Sequence, residues 1–270
     1  MSTILSNKIF LTLMLVMRTS FITFASILGP DYIYQCPKCE NLLKKGSILS
    51  GNTYSSFLYS DGKIIAPMLP LFPNLTKCEK CDTILWLSDM KEIGRCGVMS
   101  GECTHEWENA SRVKFLYIKD LCRFLELDAV KNDIEKEKVV RQMIWWIFND
   151  RERKDNFILG QAIDGNMWKS DTKDINQQII TIELKDLVNE IFMQEFDETL
   201  WEQNCQRLLE LFDMKDVDQK ILTAEIYRNL GEFDMCLKLI DTIDDKDYDW
   251  IVNRLKFECE NRNKLVIMLK

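Results

Sequence analysis

Cys36-Pro37-Lys38-Cys39 and Cys78-Glu79-Lys80-Cys81 are two Cys-x-x-Cys pairs on either side of a stretch rich in prolines and β-forming residues. A tight turn that carries such a pair can present both sulfurs to one ion, and a second turn supplies the other two. Four thiolates complete the tetrahedron that zinc adopts in structural sites, and the bound ion compensates for a small core. The predicted zinc ligands are Cys36, Cys39, Cys78 and Cys81.

Both pairs resemble the knuckles of the zinc-ribbon family, and the first is close to the common form of the first knuckle. The resemblance implies a β-rich ribbon over residues 31–90. Glu40 and Asp82 stand where zinc ribbons favour glycine, and aspartate tolerates a positive φ better than glutamate does. The long spacing between the pairs is explained by an inserted hairpin centred on Asp61-Gly62, since Asp-Gly between β-compatible runs is typical of a hairpin.

Two other interpretations of the cysteine pairs remain open at this point. In a secreted protein the four cysteines would form disulfides. A redox dithiol at Cys36 and Cys39 would resemble glutaredoxins, but such a site opens a helix within a βαβ unit. Here Tyr32-Ile33-Tyr34 precedes the pair as a strand, no βαβ pattern surrounds it, and the second pair is left unexplained.

Charge and cysteine content restrict the class of protein. The chain has 270 residues and a formal net charge of −8, which argues against a general nucleic-acid binder. Residues 31–90 contain equal numbers of lysines and acidic residues, so we expect no nucleic-acid binding by the ribbon either. Cys122, Cys205, Cys236 and Cys259 lie in apolar, helix-like contexts, where free cysteine is a small buried hydrophobe. This pattern favours a reducing compartment and a cytoplasmic location.

The N-terminal extension, residues 1–30, allows three interpretations. Residues 9–17 are apolar and follow Lys8, as in the core of a signal peptide, but Arg18 interrupts the run. The uninterrupted run is about half of the roughly 20 residues that span a bilayer. Translation starting at Met17, a signal peptide or anchor over residues 9–28, and a buried element all remain open, and membrane association is expected only if the anchor is retained.

Proline and glycine, the residues that interrupt helices and strands, are concentrated in the N-terminal part of the chain. All five prolines lie between Pro30 and Pro73, and few glycines follow Gly101, so the rest is free to be helical. We predict a linker at 91–110 and an α-helical domain at 111–270. A helix is expected around the apolar stripe that runs from Val140 to Phe148. Further helices are expected near 116–127, 184–195, 198–212, 217–230, 233–243 and 247–260, and the stretch 150–182 is ambiguous.

One helical segment resembles a tetratricopeptide repeat. Ala224, Tyr227, Gly231, Phe233 and Cys236 occupy the small, aromatic and turn positions at the junction of the two helices of such a repeat, near 217–243. The early Trp and late Pro of that family are missing, and no second copy lies 34 residues away. The resemblance implies peptide or protein binding on a concave face, whereas the alternative is a hairpin that serves only for packing.

Cys96, Cys103 and His105 form a further cluster in the sequence. They suit either a second metal site or a Cys-His nucleophilic pair, although the single histidine of the chain severely restricts general-base chemistry. The simpler interpretation is a loop without chemistry.

The chain as a whole resembles uncharacterised bacterial proteins that join a paired Cys-x-x-Cys module to a helical half. The resemblance rests on Ser50-Gly51-Asn52-Thr53, Ser60-Asp61-Gly62-Lys63 and Ala66-Pro67-Met68-Leu69-Pro70. The expected fold class is α+β: an N-terminal β-rich zinc ribbon with a hairpin insert, followed by an α-helical domain that ends in a tetratricopeptide-like hairpin.

The expected function is a non-enzymatic adaptor or scaffold that binds another protein through its helical half and contains structural zinc. An enzyme or enzyme subunit with a site near Cys103 and His105 is one alternative. An envelope-associated protein anchored by residues 9–28 is another.

Overall fold

The computed structural model describes residues 26–54, 56–66, 68–69, 71–97, 103–127, 130, 132–150 and 198–270. The helix predicted at 184–195, the ambiguous stretch from 151 onward and the apolar segment before residue 26 lie outside these ranges.

Short strands occupy the first part of the described chain. They are β1 (Ser26–Leu28), β2 (Asp31–Gln35), β3 (Leu42–Lys45), β4 (Ile48–Gly51), β5 (Phe57–Leu58), β6 (Ile64–Ile65), β7 (Leu75–Lys77), β8 (Ile84–Trp86), β9 (Glu92–Cys96) and β10 (Ser111–Arg112). The largest sheet has the order β10-β3-β2-β9, in which β2 runs antiparallel to both neighbours and β10 runs parallel to β3. The pairs β1–β4, β5–β6 and β7–β8 each form a two-stranded sheet.

Helices dominate the remainder. They are α1 (His105–Glu108), α2 (Ile118–Leu125), α3 (Ile134–Asp150), α4 (Glu198–Leu211), α5 (Val217–Leu230), α6 (Phe233–Ile240) and α7 (Asp249–Glu260), with 3-10 turns at Leu87–Asp89 and Lys246–Tyr248. The mixed α+β character expected from the sequence is confirmed. The predicted linker, 91–110, contains β9 and α1, and β9 belongs to the largest sheet. The domain limits stay a prediction.

Local signals explain the hairpin formed by α5 and α6. The Asp216 side chain accepts a hydrogen bond of 3.1 Å from the Gln219 N–H and caps the start of α5. Gly231 ends α5 with a φ of 83°, a left-handed conformation that glycine adopts without strain. The Glu232 N–H then bonds the Tyr227 carbonyl at 2.8 Å, as at helix ends that reverse into a second helix.

One apolar core joins the second cysteine hairpin to the helices. Leu75 of β7 and Ile84 of β8 pack in the same cluster as Leu121 of α2 and Ile144 of α3. Neighbouring Leu85 packs in a different cluster, with Cys36 and Cys78. Because successive strand residues face opposite sides, the short β7–β8 hairpin connects the cysteine cluster to the helical core.

The C-terminal segment closes over the β5–β6 hairpin. The Leu58 N–H donates to the Lys270 carbonyl at 2.9 Å, and the Leu269 N–H donates to Leu58 at 2.8 Å. Tyr59 and Met268 form an antiparallel bridge. The last residues of the chain thus pair with the hairpin that was predicted around Asp61-Gly62.

A buried polar network ties that hairpin to the helices. The Ser60 hydroxyl donates to Glu225 of α5 at 2.7 Å, and the Asn149 amide of α3 donates to the Asp61 carboxylate at 2.9 Å. Lys63 pairs with Asp150 at 2.6 Å. The bond between Ser60 and Glu225 thus joins residues that are 165 positions apart in the sequence.

The ion pair at the centre of this network is fully buried. Arg228 contacts both carboxylate oxygens of Glu225, at 2.6 and 2.8 Å, and both side chains have 0% exposure. Burial raises the pKa of Glu225, and the Arg228 guanidinium opposes that effect. Arg228 also donates to the Asn263 carbonyl, so the C-terminal segment supplies a further acceptor for the buried guanidinium. A buried charge that loses such a partner is strongly destabilising.

We predict that Arg228→Met lowers the free energy of unfolding by about 3–5 kcal/mol, because it leaves Glu225 buried without its counter-ion. Urea unfolding monitored by circular dichroism measures the change. The double variant Glu225→Met/Arg228→Met should recover part of the loss. Lys256→Met, which breaks the exposed pair with Asp241, is the control and should cost less than about 1 kcal/mol. Equal losses in Arg228→Met and Lys256→Met would contradict the prediction.

Candidate metal centre

The two cysteine pairs lie on turns that share one hydrogen-bond pattern. In the first, the Cys36 N–H donates to the Asn41 carbonyl at 2.8 Å and the Glu40 N–H donates to the Cys36 carbonyl at 2.9 Å. In the second, the equivalent bonds run from Cys78 to Thr83 at 2.9 Å and from Asp82 to Cys78 at 2.8 Å. Each turn therefore orients its two sulfurs in the same way.

Both turns contain a residue in the left-handed region at the position after the second cysteine. Glu40 has a φ of 60° and Asp82 a φ of 53°. These are the two positions at which the sequence departs from the glycine that zinc ribbons favour. The left-handed conformation costs about 1–2 kcal/mol for residues other than glycine, and the turn keeps it because the flanking backbone bonds require it.

The folded chain brings all four sulfurs together. The Sγ atoms of Cys36 and Cys81 lie 3.6 Å apart, as do those of Cys39 and Cys78. All four lie within 4.8 Å of one another. A tetrahedral ion with metal–sulfur bonds of about 2.3 Å requires sulfur–sulfur edges of about 3.8 Å, so the cluster has the size of such a site.

Apolar residues shield the cluster on one side. Cys36 and Cys78 have 0% exposure, while Cys39 and Cys81 are half-buried. Leu43, Leu85, Leu87 and Val113 pack around them. A dry surrounding strengthens electrostatic attraction between thiolates and a cation, and it limits the access of water to the ion.

The electrostatics of the cluster favour a bound cation. The Thr83 hydroxyl and backbone N–H, followed by the neighbouring thiols, lower the pKa of Cys81 to about 6 against the opposing effect of burial. The Asn41 N–H acts to lower the pKa of Cys39, but burial and the adjacent thiols outweigh it and raise that pKa to about 12. Burial raises the pKa of Cys36. Four negative sulfurs at this spacing need a cation, and its binding releases the remaining protons.

The donor set restricts the chemistry. Four thiolates select a soft transition-metal ion in tetrahedral geometry and leave no coordination position for a substrate. Among the residues that the structure describes, these four cysteines are the one group of cysteine, histidine, aspartate and glutamate side chains whose ligand atoms lie close enough together to hold a metal ion. The arrangement is that of a structural metal.

The second predicted cluster takes a different form. Cys96, the last residue of β9, and Cys103, which precedes α1, are joined by a disulfide. His105 is exposed, and its ring nitrogens lie 3.3 and 3.4 Å from the Asn109 amide nitrogen. The two sulfurs therefore bond to each other instead of joining His105 at a metal.

The buried network of Ser60, Asp61, Asp150, Glu225 and Arg228 was not anticipated from the sequence. Ser60-Asp61-Gly62 was recognised only as a turn, and Glu225 and Arg228 lie in a helix where charged residues are normally solvated. The one available signal was their spacing. Glu225 and Arg228 are three residues apart, and Glu225 stands between two apolar residues, Ala224 and Ile226.

No family model matches the chain, and no curated protein or solved structure matches it. In the described part of the chain, no helix has the length and apolar character needed to cross a membrane.

We predict that Cys36→Ser removes most of the bound metal, because it replaces one of four thiolates with a weak hydroxyl donor. Metal per chain, measured by elemental analysis after dialysis, should fall from about one toward zero. Cys122→Ser is the matched control, since Cys122 packs on the helical core away from the cluster. Full metal content in Cys36→Ser would exclude it as a ligand.

We also predict that Glu40→Gly stabilises the metal-loaded protein by about 0.5–1 kcal/mol, since glycine adopts the left-handed conformation freely but loses more entropy on folding. Thermal unfolding of the metal-loaded protein measures the change. Glu40→Ala keeps the strain and should give no gain. If alanine stabilises as much as glycine does, backbone strain at Glu40 is not the cause.

Proposed function

We propose that this protein is a non-enzymatic adaptor or scaffold whose N-terminal part is a zinc ribbon and whose helical half binds another protein. The observation that carries the binding role is an exposed aromatic face on α7, the last helix. The observation that supports a structural role for the metal is the closed set of four thiols.

Zinc is the metal that this site suits best. A tetrahedral set of four cysteines is typical of structural zinc, and the two knuckles share the hydrogen bonds and left-handed positions described above. Because four cysteine ligands leave no coordination position on the ion for water, the ion stabilises the two hairpins and does not activate water. The pairing of the two knuckles on β2–β3 and β7–β8 supports the ribbon assignment.

The α5–α6 hairpin supports a tetratricopeptide-like unit. Ala224 and Cys236 have 0% exposure and pack in the same cluster as Phe233, so small residues allow the two helices to approach closely. Gly231 supplies the turn. Helix α7 packs in the same apolar cluster as α5 and α6, as a following first helix would in a repeat array.

The outer face of α7 is suited to a partner. Trp250 and Phe257 are 49% and 54% exposed and stand seven residues apart, on one side of the helix. Arg254 lies between them, with its guanidinium carbon 5.8 Å from the centre of the Phe257 ring. Tryptophan, arginine and phenylalanine are enriched at protein interfaces. In a repeat array the next helix would cover this face, and here a partner would do so.

The rival enzymatic function receives less support. A Cys-His pair needs a free thiol within reach of the imidazole, whereas the Cys103 sulfur is bonded to Cys96 and His105 is exposed. The net charge of −8 disfavours nucleic acid as the partner.

Affinity capture from the native host, followed by mass spectrometry, tests the proposal. We predict that the wild-type chain retains a specific protein and that Trp250→Ala/Phe257→Ala loses it, because the two aromatic side chains supply the buried contact area. Circular dichroism and zinc content should be unchanged, since both side chains are exposed.

Tyr54→Ala is the matched control, because Tyr54 is an aromatic residue with 78% exposure in the other half of the chain. It should retain the partner. Capture of no protein, or equal capture by the wild type and the double variant, would refute binding through α7.

A further inference from the structure

Cys236 of α6 and Cys259 of α7 face each other inside the helical core. Their Sγ atoms lie 2.9 Å apart, and the side chains have 0% and 2% exposure. The thiols of the metal centre are farther apart, at 3.6 Å. A disulfide bond of about 2.05 Å requires these sulfurs to approach by less than 1 Å.

We propose that Cys236 and Cys259 are a site of disulfide formation that covalently joins α6 to α7. The co-reactant is a low-molecular-weight disulfide such as oxidised glutathione. This inference is independent of the proposed adaptor function and of the metal centre, since neither cysteine belongs to the four-thiol cluster.

The two thiols differ in acidity where α6 and α7 are packed together. Contact with Cys236 lowers the pKa of Cys259, against the effect of burial, and the positive charge of Arg228 lowers it further. Contact with Cys259 and burial raise the pKa of Cys236. In the packed core Cys259 is therefore the thiol of the pair that loses its proton more readily, and the thiolate is the form that attacks a disulfide.

The exchange balances in two steps. The Cys259 thiolate attacks one sulfur of the small disulfide, which forms a mixed disulfide and releases one small thiolate. Cys236 then loses its proton and attacks the Cys259 sulfur, which breaks the mixed disulfide and releases the second small thiol. Two electrons pass from the two cysteines to the small disulfide, and the protons end on the released thiols.

Access to the buried pair requires α7 to separate from α6. Both sulfurs are enclosed by Phe233, Ile240 and Leu255, and a mixed disulfide does not fit in that packed core. The reaction therefore takes place during folding or during local opening of the C-terminal helix. Once α7 has packed, the bond is shielded from reductants by the same side chains.

The experiment uses the full chain with zinc present. The protein is unfolded in urea, refolded by dilution with reduced and oxidised glutathione in graded ratios, alkylated and digested for mass spectrometry. We expect a peptide pair linked through Cys236 and Cys259, lighter than the two free peptides by two hydrogen atoms. The Cys96–Cys103 link provides a reference, because the structure joins those residues.

Thermal unfolding supplies a second measurement. The Cys236–Cys259 disulfide, formed by refolding under oxidising conditions, should raise Tm by on the order of 5 °C relative to the reduced protein. Cys236→Ala should abolish this contribution to the increase. Cys205→Ala removes another buried thiol, which packs in a different cluster, and should keep the increase. A peptide map of the wild type does not depend on the folding of any variant.

Two results would overturn the proposal. One is that Cys236 and Cys259 remain free thiols and are alkylated, although the same ratio of oxidised to reduced glutathione forms the Cys96–Cys103 link or attaches glutathione to Cys122. The other is that either residue is linked to a different cysteine. In both cases the pair serves only as small apolar packing between the helices.

Discussion

Four sulfurs brought within 4.8 Å of one another are the constraint on which the N-terminal half depends. Thiolates at this spacing repel one another, and burial of Cys36 and Cys78 removes the water that would screen the repulsion. A cation bound by the four sulfurs would turn this repulsion into attraction and would hold the β2–β3 and β7–β8 hairpins together. The strands are only three to five residues long, so their ladders alone are too weak to keep this arrangement.

A second constraint connects this half to the helices. The β7–β8 hairpin shares the apolar core of α2 and α3, and the β5–β6 hairpin is held to α3 and α5 by the buried network around Glu225 and Arg228. Apolar packing tolerates exchange of similar side chains, whereas a buried ion pair requires each partner in place. The network therefore specifies where the hairpin insert and the C-terminal segment lie, whereas the two cysteine turns meet at the four-thiol cluster.

Local patterns allowed much of the chain to be anticipated. The helices at 198–211, 217–230 and 249–260 follow from apolar periodicity together with capping residues such as Asp216 and Gly231. The left-handed conformation at Glu40 and Asp82 follows from their place in the turn. The strands β9 and β10 were missed because they are short and irregular, and their pairing with β2 and β3 depends on partners far along the chain.

The sequence by itself determined the spacing of the cysteines, the turns that carry them and the division into a β-rich and a helical half, because these features depend on residues close together along the chain. The sequence also predicted that the two turns meet, and the structure brings them together. Only the tertiary structure decided that Ser60 bonds Glu225 and that Cys236 touches Cys259. Contacts of this kind depend on how all elements pack at once, and no local pattern of residues encodes which distant side chain completes a buried hydrogen bond.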